Sequence, residues 1–318
     1  MAWTSTWKKK YYIPHQTEPF KLSRSKIDMF IECPRCFYLD RRLEVAKPSM
    51  APFLLNTAVD HLLKKEFDVH RKEATPHPII SDNGLDLIPF NHPKIDEWRE
   101  NFVGVQYLHE ESNFLVFGAV DDLWVEAEKD GDASEGADGG AKGADAGAKG
   151  AAKGGKVHVV DYKATSKDEA VKELEDTRWH DQYRRQMEIY QWLLRHNDVN
   201  ISDTGYFVYV NGRKDLASFD GKLEFEINLI SYKGNSDWVD EVLVHAKKCL
   251  DSDEIPAAGG NCEYCKYREQ AGMAFKKHVT QFGAEVAKEE KAGSKSGKDA
   301  SSNAGKPSGI SGRKIAKK

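Results

Sequence analysis

Two β-branched, apolar runs, residues 114–126 and 157–165, flank a stretch with no means of folding on its own, and this restricts the chain more than any other feature. Residues 127–156 contain 18 Gly+Ala among 30 positions, with Lys, Asp and Glu between them and no aromatic. Such a segment buries too little apolar surface to offset the entropy lost on ordering. The spacing predicts a disordered hairpin loop between two neighbouring strands. With the insert set aside, Asp121 and Asp161 fall from 40 positions apart to 10. That is a hairpin distance, and it would face the two carboxylates across adjacent strands.

The second run ends in Asp161-Tyr162-Lys163. Strand alternation puts Asp161 and Lys163 on one face, so a carboxylate and an ammonium share a wall. Alone, this would be an ordinary weak ion pair at a strand end. Asp121 changes the reading, because two neighbouring carboxylates repel and are tolerated chiefly when a divalent cation lies between them. Hard oxygen donors suit Mg²⁺ or Mn²⁺. Alternation turns Asp122 to the opposite face, away from this group.

The remaining pattern predicts an α/β domain with a mixed central sheet flanked by helices. Ser23 or Ser25 would cap a first helix that stops or bends at Pro34, and an amphipathic helix is expected over 54–71. Four prolines between Thr75 and Pro93 point to a loop. Further strands are expected at 103–109, 206–210 and 223–229, and a helix at 238–250. Ser166-Lys167-Asp168-Glu169 has the form of a capping box, opening a helix that runs to about His196.

No stretch has the roughly 18 apolar residues of a membrane span, and the first ten residues lack the apolar core of a secretory signal, so the expected address is cytoplasmic. Four of five cysteines form two Cys-x-x-Cys pairs, Cys33/Cys36 and Cys262/Cys265, a spacing that lets each pair offer two thiolates to one metal. Four thiolates satisfy Zn²⁺ or a [4Fe–4S] cluster equally well by spacing. Charge is uneven. From Ala274 onward there are 11 Lys+Arg against 4 Asp+Glu, leaving 36 against 47 for the rest, so an acidic body carries a basic tail. That body is not the electrostatic footprint of a simple nucleic-acid-binding module.

Taken in order, Gly118-x-x-Asp121, Asp161-Tyr162-Lys163 and Gln186-x-x-x-Tyr190 resemble the PD-(D/E)XK nucleases. The RecB-like branch, which includes the iron–sulfur CRISPR-adaptation exonucleases, is the part they resemble most. Ser23-x-Ser25, Cys33-Pro34-Arg35-Cys36 and Cys262-x-x-Cys265 extend the likeness over most of residues 20–270. The resemblance implies a restriction-endonuclease-like fold, with a four-cysteine site joining its N- and C-terminal segments. It also implies a Mg²⁺- or Mn²⁺-dependent nuclease acting on DNA, single-stranded or at ends, in repair, recombination or defence. RNA stays open as a substrate.

By the same resemblance Asp121, Asp161 and the Tyr162 backbone carbonyl hold metal, while Gln186 and Tyr190 approach the substrate. A family His in the preceding helix corresponds here to Asp60, with His61 one residue further on. Both enter as candidate ligands, Asp60 first. The family also favours [4Fe–4S] over Zn²⁺ at the cysteines, although its usual one-plus-three distribution is here two and two. The domain reading is an arm over 1–20, a nuclease-like domain over 21–273 and a mostly disordered tail over 274–318. The alternative function is a non-catalytic nucleic-acid-binding module whose cysteine site is structural.

Overall fold

The computed structural model describes residues 11–48, 53–128 and 154–296. The first ten residues of the arm, most of the insert (129–153) and the end of the tail (297–318) lie outside them. The chain divides between Cys262 and Glu263 into two compact units.

The larger unit is built on two sheets. Strands β1 (Phe20–Ser23), β3 (Val105–His109) and β4 (Phe114–Gly118) form a three-stranded sheet in the order β1-β4-β3, with β1 parallel to β4. Strands β2 (Leu87–Pro89), β5 (Asp122–Glu126), β6 (Val157–Thr165), β7 (Thr204–Gly212) and β8 (Phe225–Lys233) form a five-stranded mixed sheet in that order. In it, β6 and β7 are parallel and the other pairs antiparallel. The hairpin expected across the insert is β5–β6, in a register that opposes Asp122 to Val160.

Helices cover both faces of the larger sheet. Along β7 the side chains alternate, Phe207 and Tyr209 into one apolar core and Tyr206, Val208 and Val210 into the other. The first core also takes Met187, Ile189, Leu193 and Leu194 of α6 (Arg178–Arg195), and Leu243 and Ala246 of α7 (Val239–Asp251). The second takes Leu63 and Phe67 of α3 (Leu54–Glu73). Burial on both faces explains why these strands are apolar and aromatic along their whole length.

Several local expectations change. The 114–126 run is two strands, broken at residues 119–121, because the chain crosses there from one sheet to the other. The break depends on close approach: a Cβ at Gly104, which has φ +62°, would lie 2.4 Å from the Gly118 carbonyl oxygen. Within the proline-rich 75–93 stretch stand α4 (Pro78–Asp82) and β2. Pro78 occupies the first helical turn and Pro89 ends an edge strand, two places where a missing N–H costs little.

The capping box at Ser166 does not form either. Asn211 accepts from the Lys167 N–H at 2.7 Å and donates to its carbonyl at 3.2 Å, and Ser166 Oγ donates to the Gly212 carbonyl, so this segment stays tied to β7. The helix begins at Arg178 instead, where Thr177 accepts from the His180 N–H. By contrast, Pro34 acts as expected: α1 (Arg24–Glu32) ends before extended Cys33, and Pro34 starts α2 (Pro34–Arg41). Ser23 occupies the N-cap position of α1 but bonds Ser25 rather than the helix backbone.

The smaller unit carries α8 (Glu263–Ser296). This helix runs through the first part of the 274–318 tail, where composition pointed to mostly irregular chain, because Ala, Glu and Lys are frequent there and are strong helix formers. No described helix is long and apolar enough to cross a membrane.

Candidate active site

Pairing between β5 and β6 stops at Asp122, which leaves β6 from Asp161 onward without a neighbour on that edge. One more residue of the same register places Asp121 opposite Asp161. The Tyr162 N–H donates to Asp121 Oδ2 at 3.0 Å, so the Asp121 carboxylate caps the exposed edge of β6. A strand residue sends its N–H and C=O to the same side, so the Tyr162 carbonyl leaves toward this edge as well. A cavity of about 390 Å³ opens here, and Asp60, Asp121, Tyr162, Lys163 and Tyr183 are among the residues lining it.

Asp161 is fully buried and ion-paired with Lys163. Gln186 Nε2 donates to Asp161 Oδ1 at 2.7 Å, and its Oε1 accepts from Lys163 Nζ at 3.2 Å. Gln186 therefore grips both members of the pair. It also donates to the Tyr190 hydroxyl at 3.2 Å, which completes a chain of four predicted residues. The spacing of Gln186 and Tyr190 puts them one turn apart on α6. Gly118 lets Tyr190 into place, since a Cβ there would come within 2.7 Å of the Tyr190 ring.

Asp60, on α3, lines the cavity, whereas His61 is exposed and does not. One residue is about 100° around a helix, enough to separate them. The structure thus brings Asp60, Asp121, Asp161, Tyr162, Lys163, Gln186 and Tyr190 together and leaves His61 outside. Sequence reasoning missed Lys64, whose ammonium lies 2.9 Å from Asp60 and 3.3 Å from Asp121. The signal was its i+4 spacing from Asp60. It also missed Tyr183, whose ring centre is 4.5 Å from Lys163 Nζ.

The electrostatics follow from crowding. Burial raises the Asp161 carboxyl above its usual range; Lys163 opposes this and Asp121 adds to it. Asp60 is raised by burial and by Asp121, against the pull of Lys64. Burial works against the Lys163 ammonium, but Asp161 and Asp121 outweigh it and hold Lys163 above its usual value. Lys64 is raised in the same way by Asp121 and Asp60. Asp60 and Asp161 resist ionisation in the company of Asp121, and crowded carboxylates of this kind are a donor set that a hard divalent cation relieves, so these residues fit Mg²⁺ or Mn²⁺.

Asp122 faces the other way, as alternation required, and is fully buried. Arg71 and Arg99 pair with it, the latter at 2.9 Å, and the Tyr162 hydroxyl donates to it at 2.8 Å. Arg99 also donates to the Asp121 carbonyl at 3.0 Å. This cluster clamps the start of β5 from behind and so fixes where Asp121 stands.

The sulfurs of Cys33, Cys36, Cys262 and Cys265 lie within 4.8 Å of one another. Within the larger unit, Cys36 and Cys262, with sulfurs 3.5 Å apart, tie α2 to the segment that ends at Cys262. The Cys36 and Gly259 N–H groups both donate to Cys33 Sγ, at 3.4 and 3.2 Å. Gly259 is needed for that approach, because a Cβ would lie 2.1 Å from the Glu32 carbonyl oxygen. Cys249 lies outside the group and packs against the first apolar core, where burial raises its thiol to about 11.

A family model for the PD-(D/E)XK nuclease superfamily matches residues 150–270. That span contains Asp161, Lys163, Gln186, Tyr190 and the second cysteine pair. Asp60, Asp121 and the first cysteine pair lie upstream of it and are brought in by the fold. No curated protein matches the chain. The mixed sheet flanked by helices is the PD-(D/E)XK fold.

Proposed function

We propose that the chain is a RecB-like, metal-dependent nuclease that hydrolyses DNA phosphodiester bonds, acting on single strands or ends. The observation that carries this reading is that Asp121 and Lys163 line one cleft, while the fully buried Asp161 is ion-paired with Lys163 and joined to it by Gln186. Asp60, Asp121, Asp161 and the Tyr162 carbonyl are the groups that would hold Mg²⁺ or Mn²⁺. A divalent ion there supplies a water of lowered pKa and neutralises charge at phosphorus.

Lys163 places a fixed positive charge beside that position, suited to hold an attacking hydroxide or to stabilise the charge that develops on phosphate. Gln186 orients both Lys163 and Asp161, so its role is positioning, and Tyr190 anchors Gln186 in turn. Tyr183 covers the Lys163 ammonium and limits its motion.

At the cysteines, the resemblance to iron–sulfur nucleases points to [4Fe–4S], but the sulfur spacing favours one tetrahedral ion. Zn–S bonds of about 2.3 Å place sulfurs roughly 3.8 Å apart. A four-iron cube interposes an iron before each thiolate and spreads the sulfurs more widely. Colourless protein holding one zinc per chain would support this assignment, and brown protein holding four irons would overturn it.

The activity test is incubation of the full chain with labelled single- and double-stranded DNA and RNA, in Mg²⁺, Mn²⁺ or chelator. Metal-dependent cutting that Asp161→Ala and Lys163→Ala both lose is the expected result. Binding without cutting would favour the non-catalytic module. Full activity in either variant would end the assignment of these residues.

A further inference from the structure

Lys64 pairs with two residues that line the same cleft, Asp60 and Asp121, and no part of the hydrolytic scheme uses it. Its ammonium is 2.9 Å from an Asp60 oxygen and 3.3 Å from an Asp121 oxygen, on a side chain about one-fifth exposed. A cation that bridged Asp60 and Asp121 would need that same position. Helix α3 dictates the arrangement: Asp60 and Lys64 are one turn apart on the face that looks onto the free edge of β6. Gln186 and Asp161 already hold Lys163 on the far side, so the two ammoniums are separately committed.

We infer that Lys64 limits the cleft to a single divalent cation, its ammonium filling the second cation position between Asp60 and Asp121. Charge balance points the same way. Counted over the directly paired groups and with the carboxyl protons displaced, Asp60, Asp121 and Asp161 carry three negative charges against two ammoniums, Lys64 and Lys163, leaving one negative charge. One divalent ion reverses this to one positive charge, which an incoming phosphodiester neutralises. A second divalent ion would leave a surplus of positive charge in a partly buried site, an unfavourable arrangement. Replacing Lys64 by a neutral side chain removes both obstacles, the occupied position and the surplus. The inference rests on the proposed metal-dependent reading of this cleft.

The test is Mn²⁺ titration of the full-length protein, followed by calorimetry and electron paramagnetic resonance. The wild type, Lys64→Met and Lys64→Arg are compared, with Asp121→Ala as the site blank. Over that blank, the wild type and Lys64→Arg are expected to take up one Mn²⁺ with the spectrum of an isolated ion. Lys64→Met is expected to take up two, with the dipolar-coupled signal of a close pair. A coupled pair in the wild type, or a single ion in folded Lys64→Met, would overturn the inference while leaving the cation site itself intact. No Mn²⁺ above the blank in any form would overturn the metal-dependent reading, and this inference with it. Should Lys64→Met fail to fold, the wild-type spectrum still decides, an isolated ion supporting the inference and a pair overturning it.

Discussion

Asp121 and Asp122 are neighbours in the chain and opposites in the fold. Asp122 is fully buried, yet two guanidiniums and a tyrosyl hydroxyl satisfy it. Asp121 lines a cleft it shares with Asp60, and its closest cationic partner is the Lys64 ammonium at 3.3 Å. A buried carboxylate with all of its partners holds structure together. A crowded one with too few is poised for a ligand. The difference shows how a single step along a strand separates scaffold from site.

The largest effect expected from this contrast is on catalysis. Asp121→Ala is predicted to cut DNA at least about 10³-fold more slowly, the scale on which loss of transition-state stabilisation is felt, while melting close to wild type. Comparing single-turnover rates with thermal melts would check it, and a variant that unfolds but still cuts would break the comparison. Asp122→Ala is predicted to do the reverse in kind. Taking from Arg71 and Arg99 the buried carboxylate they share, with the half-buried Asp68 as their remaining partner, should cost up to about 3–5 kcal/mol in urea unfolding. A loss under about 1 kcal/mol would mean that Asp68 and solvent together satisfy both guanidiniums.

A third prediction concerns pH. The Asp60 and Asp161 carboxyls are raised in the folded chain, so their contribution to metal-free stability is present at low pH and is lost as pH rises through those values. Mn²⁺ replaces the protons they would otherwise keep. The rise in melting temperature on adding Mn²⁺ should therefore be larger at about pH 7.5 than at about pH 5. At a hundred-fold excess over Kd the stabilisation would approach about 2.7 kcal/mol. A gain that is the same at both pH values would show that these carboxyls do not bind the ion.

The smallest effects separate Asp60 from His61. Asp60→Ala should slow cutting roughly ten- to a hundred-fold, about 1.4–2.7 kcal/mol of barrier. His61→Ala, at an exposed position outside the cleft, should change stability by no more than about 0.5 kcal/mol and leave the rate unaltered. Equal losses of activity from both would reinstate His61 as a ligand.

Much of this was legible in the chain because it depends on local rules. Alternation along β6 put Asp161 beside Lys163 and turned Asp122 away. A compositionally inert insert announced the hairpin, and Pro34 ended α1. What failed were features decided by distant partners. Ser166 had the sequence of a cap, but Asn211 and Gly212 of β7 claimed that segment first. The 114–126 run read as one strand, and the passage between two sheets made it two.

The sequence by itself determined the order of the elements from β6 to α7, the donor chemistry of each site and which strand residues share a face, because backbone periodicity and side-chain type are local properties. Only the tertiary structure decided that α3 presents Asp60 and Lys64, and not His61, to the open edge of β6, and that Arg71 and Arg99 meet behind it at Asp122. Those choices depend on the rotation and depth at which helices seat on a sheet. Long-range packing sets both, and no short stretch of sequence contains it.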